Sequence, residues 1–281
     1  MSLAPATAKE LAAVFISRQL TNDDRVSMGA NLPVPAAGCF LANLTHAPDL
    51  RIHALSYFIN LAGAEKVEEL SQVASPSLLK HSEAVFSQDQ LFYYVPLMSI
   101  NFFGALQIDR FGNSNLIGTG SDYRHLKFRG PGPVGTSGVG SSVKSFYLYV
   151  GSHSPRTFVD KLDFCSCVGW HNGGADARKK LGLIGGGPTY VISSKAVMDF
   201  EEETKRMRLL YLFPDVTVDD VVSNTGFELL VAPDVAVLPE PTEEELSVLR
   251  TRVDIKGVLR NTVAKAFASL APFAVHLDPT A

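Results

Sequence analysis

Two hydrophobic periods share the first sixty residues. Leu11, Val14 and Phe15 recur at helical spacing and predict a helix over Thr7–Leu20, which Asn22-Asp23-Asp24 ends. Arg25–Met28 reads as a short strand running into Gly29-Ala30-Asn31-Leu32-Pro33. A helix rich in small residues follows over Val34–Leu44. It stops before Ala47-Pro48-Asp49 and gives way to a strand over Leu50–Phe58. Strand, turn, helix and strand in this order make the unit of a parallel sheet.

Further along, Val67–Phe86 is more polar and predicts helix around a break at Ser75-Pro76-Ser77. Apolar or alternating runs predict strands at Leu91–Asn101, Ser145–Val150, Thr157–Cys167, Thr189–Phe200 and Arg206–Phe213. Thr217–Ser223 predicts a helix, with Asp219 and Asp220 in the first turn where the helix dipole favours acids. Asn224-Thr225-Gly226 ends it, before a last strand over Phe227–Val231 and an amphipathic helix over Glu243–Arg252. No repeat or low-complexity tract interrupts the pattern. It predicts one α/β domain over residues 1–255: an open, mainly parallel sheet flanked by helices, with β-rich insertions around residues 110–200. Residues 256–281 form a weakly apolar extension, expected to be helical or partly disordered.

Composition narrows the class. Apolar residues make up 46% of 281, ample for a core, and charged residues only 19%, which leaves room for an interface with another chain. A net charge of −4 gives no basic face for nucleic acid. No run reaches the length of a membrane span, and Met1–Glu10 does not read as a signal peptide, so a cytoplasmic protein is expected. Cys39, Cys165 and Cys167 do not make a disulfide framework. Cys165 and Cys167 alternate along an expected strand, and with His171 they fall short of a metal set, so they read as buried and inert. Gly185-Gly186-Gly187-Pro188 lacks the Lys-Ser/Thr of a phosphate loop and reads as a turn. Glu201-Glu202-Glu203 reads as a solvated hairpin tip and Trp170 as core.

The candidate chemistry lies in two loops. Gln107-Ile108-Asp109-Arg110-Phe111-Gly112-Asn113-Ser114-Asn115 is a tight polar turn. About twenty residues later comes Arg129-Gly-Pro-Gly-Pro-Val-Gly-Thr-Ser-Gly138. Backbone this rich in glycine lets a ligand approach main-chain N–H groups, which suits an anionic or carbonyl-bearing molecule.

An ordered set of motifs then carries a resemblance. Gly29-Ala30-Asn31-Leu32-Pro33, Ala47-Pro48-Asp49, Gly104-Ala105-Leu106-Gln107-Ile108-Asp109 with Gly112-Asn113 and Asn115, and Asp122-Tyr123-x-His125 come first. Lys161-Leu162-Asp163, Gly169-Trp170, Leu181-Gly182-Leu183, Phe200-x5-Arg206-Met207 and Asn224-Thr225-Gly226-Phe227 follow. Together they resemble the β subunit of family I CoA-transferases, most of all the glutaconate CoA-transferase type, over residues 8 to about 255. The resemblance implies an α/β fold and pairing with a CoA-transferase α-like subunit as a heterodimer or α2β2. It implies a CoA thioester as substrate and no permanently bound cofactor or metal. It also implies a glutamate at the end of the second strand, which attacks the acyl-CoA and carries CoA as a glutamyl thioester.

The chain departs from that pattern at the position that matters most. Counting from Ala47-Pro48-Asp49, the glutamate falls on Leu55, in Arg51-Ile52-His53-Ala54-Leu55-Ser56-Tyr57-Phe58, where no side chain is a carboxylate. The family's Gly-x-Gly-Gly loop reads Gly130-Pro131-Gly132-Pro133, and Pro133 has no N–H to donate. Loss of one oxyanion donor costs about 2.7–4 kcal/mol of transition-state stabilisation. Relatives on this scaffold that open rings or decarboxylate CoA thioesters also lack the glutamate. The resemblance therefore implies either CoA transfer with a nucleophile from elsewhere, hydrolysis or C–C cleavage with reactive groups from the α partner, or a non-catalytic partner subunit.

Around the vacated position, Ser56 and Tyr57 are candidates to bond an acyl carboxylate or a water, or are plain strand-end residues. His53 is a candidate base or a satisfied core histidine. Asn31 meets an anion or sets a turn. Gly104, Gln107 and Asn113, with Asp109 and Asn115, contact substrate or shape their own turn. Gly130, Gly132 and Gly135 line the thioester by family position.

Overall fold

The computed structural model describes residues 4–54, 58–61 and 76–260. Helix α1 (Ala8–Arg18) opens with a capping box. Thr7 Oγ1 accepts from Glu10 N at 3.2 Å, and Glu10 Oε2 accepts from Thr7 N at 2.9 Å. Strand β1 (Arg25–Met28), helix α2 (Pro33–Leu44) and strand β2 (Arg51–Ala54) then form the expected unit. The strand expected over Leu50–Phe58 ends at Ala54: β3 (Phe58–Leu61) and β4 (Ser82–Val85) turn back antiparallel, Ala54 pairing with Phe58. Of the helix expected over 67–86, residues 67–75 lie outside the described residues, and a 3-10 turn at Pro76–His81 leads directly into β4.

The strand expected over Leu91–Asn101 is instead α3 (Gln88–Tyr94) and a 3-10 turn at Val95–Leu97. Pairing starts only at β5 (Ile100–Gly104). Pro96, with its fixed φ and missing N–H, suits the turn and not a central strand. Two small antiparallel pairs follow: β6 (Gln107–Ile108) with β7 (Ser114–Asn115), and β8 (Gly118–Thr119) with β9 (Phe128–Arg129). Next come α4 (Thr136–Ser142), β10 (Ser145–Tyr149), α5 (Ala177–Lys180) and β11 (Pro188–Ile192). The segment expected as a strand over Thr157–Cys167 makes only isolated bridges, Ile108 to Phe158 and Ser114 to Cys167. Its two ends bond the backbone of Ile108 and Ser114 but no continuous ladder joins them, so its alternation was misleading.

The run Thr189–Phe200 is two strands. Ser193 Oγ accepts from Lys195 N and Ala196 N, turning β11 into β12 (Ala196–Phe200). β12 pairs with β13 (Met207–Leu212) through the acidic tip at Glu201–Glu203, as expected. Helix α6 (Val218–Ser223), β14 (Leu230–Val237) and α7 (Glu243–Val248), the last running on as a π turn over Leu249–Val253, close the order. β14 thus starts three residues later than the expected strand.

All but the two small pairs join one ten-stranded sheet, ordered β14-β13-β12-β11-β10-β5-β1-β2-β3-β4. The run β11-β10-β5-β1-β2 is parallel throughout. Neighbouring side chains on a strand face opposite layers. Phe102 and Tyr147 pack with α1 and α2 on one face, while Phe103, Phe146 and Leu148 pack with Val139 and Val143 on the other. Gly38 lets α2 lie against α1, since a Cβ there would stand 2.7 Å from Ala13 O.

The C-terminal segment belongs to the first of these cores. Leu249, Val253 and Leu259 are buried in it, and Asp254 accepts from Val258 N and Leu259 N. Arg250 holds the fully buried Glu10 at 2.8 and 2.9 Å. The core therefore continues past residue 255 to Leu259, and residues 261–281 lie outside the described residues.

Candidate functional site

In an open parallel sheet, ligands bind beyond the carboxyl ends of the strands, where the winding reverses. Here that reversal lies between β1 and β5: the chain winds from β1 to β2 on one side and through β5, β10 and β11 on the other. Met28 is in register with both Ala54 and Phe102, and Gly29 N donates to Phe102 O at 3.3 Å. The ends of β1, β2 and β5 therefore meet, and the loop Gly29–Leu32 and Gly104 border the same crevice.

Asn31 is exposed in left-handed backbone, φ +55°, which fits its turn role. The helix start beyond it is a poor anion cradle. Pro33 and Pro35 carry no N–H and Ala36 N already donates to Leu32 O, so Val34 supplies the only N–H in the first three helical positions. A Cβ at Gly104 would meet only Leu32 Cδ2, at 3.6 Å, so no close approach forces glycine there.

Leu55, Ser56 and Tyr57 follow directly on Ala54 but lie outside the described residues. His53 is fully buried within β2. Its Nδ1 accepts from Asn60 N at 3.4 Å, its ring meets Tyr94 edge-on at 5.6 Å, and Nε2 has no partner. Burial, then the positive charges of Arg51 and Arg25, push its pKa down to about 4. The imidazole is neutral at pH 7 and too weak a base to favour the catalytic reading.

The polar turn is committed to itself. Asn113 Nδ2 donates to Asp109 Oδ2 (2.7 Å) and His171 O (2.8 Å), and its Oδ1 accepts from Gly169 N (2.8 Å) and His171 N (3.1 Å). Asn115 Nδ2 donates to Gln107 Oε1 (2.7 Å) and Gly118 O (2.8 Å), and Oδ1 accepts from Ile117 N (2.8 Å). Gln107 Oε1 also accepts from Asp163 N, and its Nε2 donates to Asp163 Oδ2 at 3.2 Å. With all three buried, the arrangement fits the turn-shaping reading: buried amides bonded this fully offer a ligand little. Burial raises the Asp109 pKa against the bonds from Asn113 and Phe111 N.

The Gly/Pro loop is divided. Gly130 N donates to Ile117 O at 2.9 Å and Gly132 N to Leu116 O at 3.1 Å, so neither amide is free for an oxyanion. Gly130 is required by packing, since its Cβ would lie 2.3 Å from Leu116 O. Gly132 and Gly135, at φ +88° and +82°, face open space. Between Pro133 and Gly135, Val134 holds φ +48°, a strained conformation for a β-branched residue. The accessible backbone of this loop is thus its second half, 133–135.

Sequence reasoning missed the groups that tie these loops together. Arg178, in what reads as a solvated Arg-Lys-Lys run, is buried. It donates to Gly185 O, Val168 O, Gly169 O and Gly140 O at 2.6–2.9 Å, and burial lowers its pKa. His153 bridges Ser193 Oγ (2.8 Å) and Thr225 Oγ1 (3.0 Å) and stacks on Phe158. Asn224-Thr225-Gly226 stood out as a helix stop and a motif of the resemblance, not as a partner of His153. Cys167 is buried, its pKa pushed up to about 12 by burial, but Cys165 is exposed, contrary to expectation, because its segment is loop and not strand. Trp170 is half-buried under Lys205 Nζ, 4.7 Å from the ring, and not core. Among the described residues no group of three or more His, Cys, Asp or Glu gathers as for a metal, and no helix is long and apolar enough to cross a membrane.

A five-strand parallel centre covered on both faces, with its winding reversed between β1 and β5, defines an open α/β protein. The chain belongs to the Coenzyme A transferase family, whose model matches residues 9–224. It is 35% identical to the β subunit of 3-oxoadipate CoA-transferase from Pseudomonas knackmussii, over 87% of this chain and 92% of that one. It is 32% identical to the β subunit of glutaconate CoA-transferase from Acidaminococcus fermentans, over 85% and 92%. The solved structure of that transferase superposes with a TM-score of 0.82 at 28% identity, covering 92% of this chain and 98% of its own. The IpdB subunit of the cholesterol ring-cleaving hydrolase from Rhodococcus jostii is 34% identical over 55% of this chain and 60% of its own. The IpdAB structure from that organism matches with a TM-score of 0.74 at 27% identity, covering 91% and 98%.

Proposed function

We propose that the chain is the β subunit of a heteromeric, cytoplasmic enzyme that acts on an acyl-CoA thioester, dicarboxylic or oxo-acyl, without itself supplying the nucleophilic glutamate. The observation that carries this reading is the end of β2. Its last residue, Ala54, lies beside Met28 at the switch point, and the sequence that follows is Leu55-Ser56-Tyr57. An aliphatic side chain neither attacks a thioester nor forms an anhydride. Similarity to two CoA-transferase β subunits whose names carry dicarboxylic acyl groups supports the substrate class and an α-like partner, with CoA as substrate.

A second reaction is favoured by the same leucine together with the likeness to one half of a ring-cleaving hydrolase. In it, a base from the α partner activates water, and the thioester or a ring C–C bond is cleaved with no covalent CoA intermediate on this chain. The test is borohydride reduction of the assembled enzyme during turnover with glutaconyl-CoA or 3-oxoadipyl-CoA, followed by peptide mass mapping. A reduced glutamyl adduct on this chain would overturn the reading. Turnover without one, measured as free CoA released against CoA moved to an added acid, separates the two reactions.

A further inference from the structure

We propose that residues 262–271 lie along α1 and seat Phe267 and Leu270 in the cleft between that helix and β13. The cleft is lined by Leu11, Phe15, Arg18 and Gln19 of α1, and across from them by Tyr211 and Leu238. Its volume is about 170 Å³. An apolar cavity of about 150 Å³ takes up a benzene ring, so one phenyl side chain fits. The guanidinium of Arg18 is already engaged by Glu245 and by the carbonyls of Pro239 and Glu240, so the cleft offers no unpaired charge. Leu11, although buried, belongs to neither of the two cores.

The path of the chain delivers that segment. Glu245 meets Arg18, Arg250 meets Glu10, and Leu259 O accepts from Thr7 Oγ1 at 3.3 Å. The chain from α7 onward therefore runs down α1, from its last turn to its first. It then turns: Asp254 O accepts from Gly257 N at 3.0 Å, and the Asp254 carboxylate takes Val258 N and Leu259 N. The described chain ends just beyond, at Arg260, and residues 261–281 follow. Leu259 stands beside Thr7, an offset of 252. A helix running back parallel to α1 at the same rise keeps that offset. Val263, Phe267, Leu270 and Ala271 then fall beside Leu11, Phe15, Arg18 and Gln19, the four residues that α1 gives to the cleft. Those same four positions make an apolar stripe at helical spacing, with Lys265 and Ser269 on the opposite face. Thr262 is an N-cap residue type placed just before the stripe, and Pro272 ends a helix at the residue before it.

The experiment is limited tryptic digestion of the full chain, followed by mass spectrometry. Lys265 is the one tryptic site within residues 261–281. Cleavage after it is expected to be about tenfold or more slower than after the exposed Lys127, at every chain concentration. The F267D/L270D variant is expected to raise the rate at Lys265 to that at Lys127 and to leave Lys127 unchanged. A second measurement uses a Cys165→Ser background. There Gln19→Cys with Ala271→Cys is expected to close an intramolecular disulfide with oxidised glutathione. Gln19→Cys with Ser269→Cys, on the far side of the stripe, is expected not to. Equal rates at Lys265 and Lys127 in the wild type, or equal disulfide yields from the two pairs, overturn the proposal. So does protection that appears only at high chain concentration, which assigns the segment to a second copy. Protection that needs the α-like partner overturns it too, by assigning the segment to that chain. None of these readouts depends on CoA, so the acyl-CoA reading is tested separately.

Discussion

Ala54 ends β2 in register with Met28, the last residue of β1. The residue that follows in sequence, Leu55, is the one the motif count sets at the position of the attacking glutamate. Leu55→Glu, assembled with the α-like partner, is expected to gain a covalent step. The new carboxylate attacks the thioester carbonyl, the CoA thiolate leaves, and the thiolate then attacks the anhydride, releasing the acyl carboxylate and forming a glutamyl thioester. Borohydride reduces that thioester to an alcohol at position 55, visible by peptide mass, whereas the wild-type chain gives none. An adduct at some other acidic residue of the wild-type chain would sink the assignment.

Gly38 sets two effects of opposite sign against each other. Gly38→Ala gains about 1 kcal/mol of helix propensity in the middle of α2. The added Cβ would stand 2.7 Å from Ala13 O and 2.7 Å from Ile16 Cγ2, contacts that α1 relieves only by moving away. Overpacking of this kind costs about 1–3 kcal/mol. The expected net is a lower urea midpoint with an unchanged slope. A raised midpoint would mean that the two helices part freely and that the close approach holds nothing.

Much of the fold was legible because its signals are local. The capping box at Thr7 and Glu10, the Gly-Ala-Asn-Leu-Pro turn and the small-residue helix after it carry their own geometry, and the order β1-α2-β2 formed as read, although the strand expected to reach Phe58 ends at Ala54. Misreadings arose where alternation occurred without a continuous ladder, as in Thr157–Cys167, whose backbone meets β6 and β7 only at its two ends, through Ile108 and Ser114. At the site, Gln107, Asn113 and Asn115 were visible as a polar cluster. Gln107 and Asn115 bond each other, but the partners that complete the bonding of Gln107 and Asn113, Asp163 and His171, lie more than fifty residues away, which no spacing reveals. Arg178 was hidden for the converse reason: a charge run reads as solvated unless its carbonyl partners are seen.

Arg178→Met tests that hidden tie. The substitution keeps an unbranched side chain in the cavity but leaves the carbonyls of Gly140, Val168, Gly169 and Gly185 without their donor. Each buried acceptor left unsatisfied costs about 1–3 kcal/mol, so a total loss of at least about 3 kcal/mol is expected. Lys179→Met, next door and exposed, is expected to stay within about 0.5 kcal/mol of wild type. Equal urea midpoints for the two variants would show that the guanidinium is dispensable.

Acid sensitivity should be set above the carboxylate range by His153. Burial, then the charge of Lys195, hold its pKa at about 4, against 6.5 for a free imidazole. In the unfolded chain the ring takes up a proton below about 6.5, while the folded ring, hydrogen-bonded to Ser193 Oγ and Thr225 Oγ1, does not until about 4. The unfolded state therefore binds more protons in that window. The contribution is complete above pH 6.5 and is lost as pH falls towards 4, a change of about 3 kcal/mol by linkage. His53, also held near 4, acts in the same direction. The Glu10 carboxyl is pushed up by burial but pulled further down by its bonds with Arg250 and Thr7, so its contribution fails only at lower pH, below its ordinary value. His153→Gln keeps a polar side chain at the site and removes one of the two titrating rings. Unfolding free energies from urea titrations between pH 7.5 and 4.5 should then fall with a slope smaller by up to about 1.4 kcal/mol per pH unit. A variant that loses stability with acid as steeply as wild type would place the titration elsewhere.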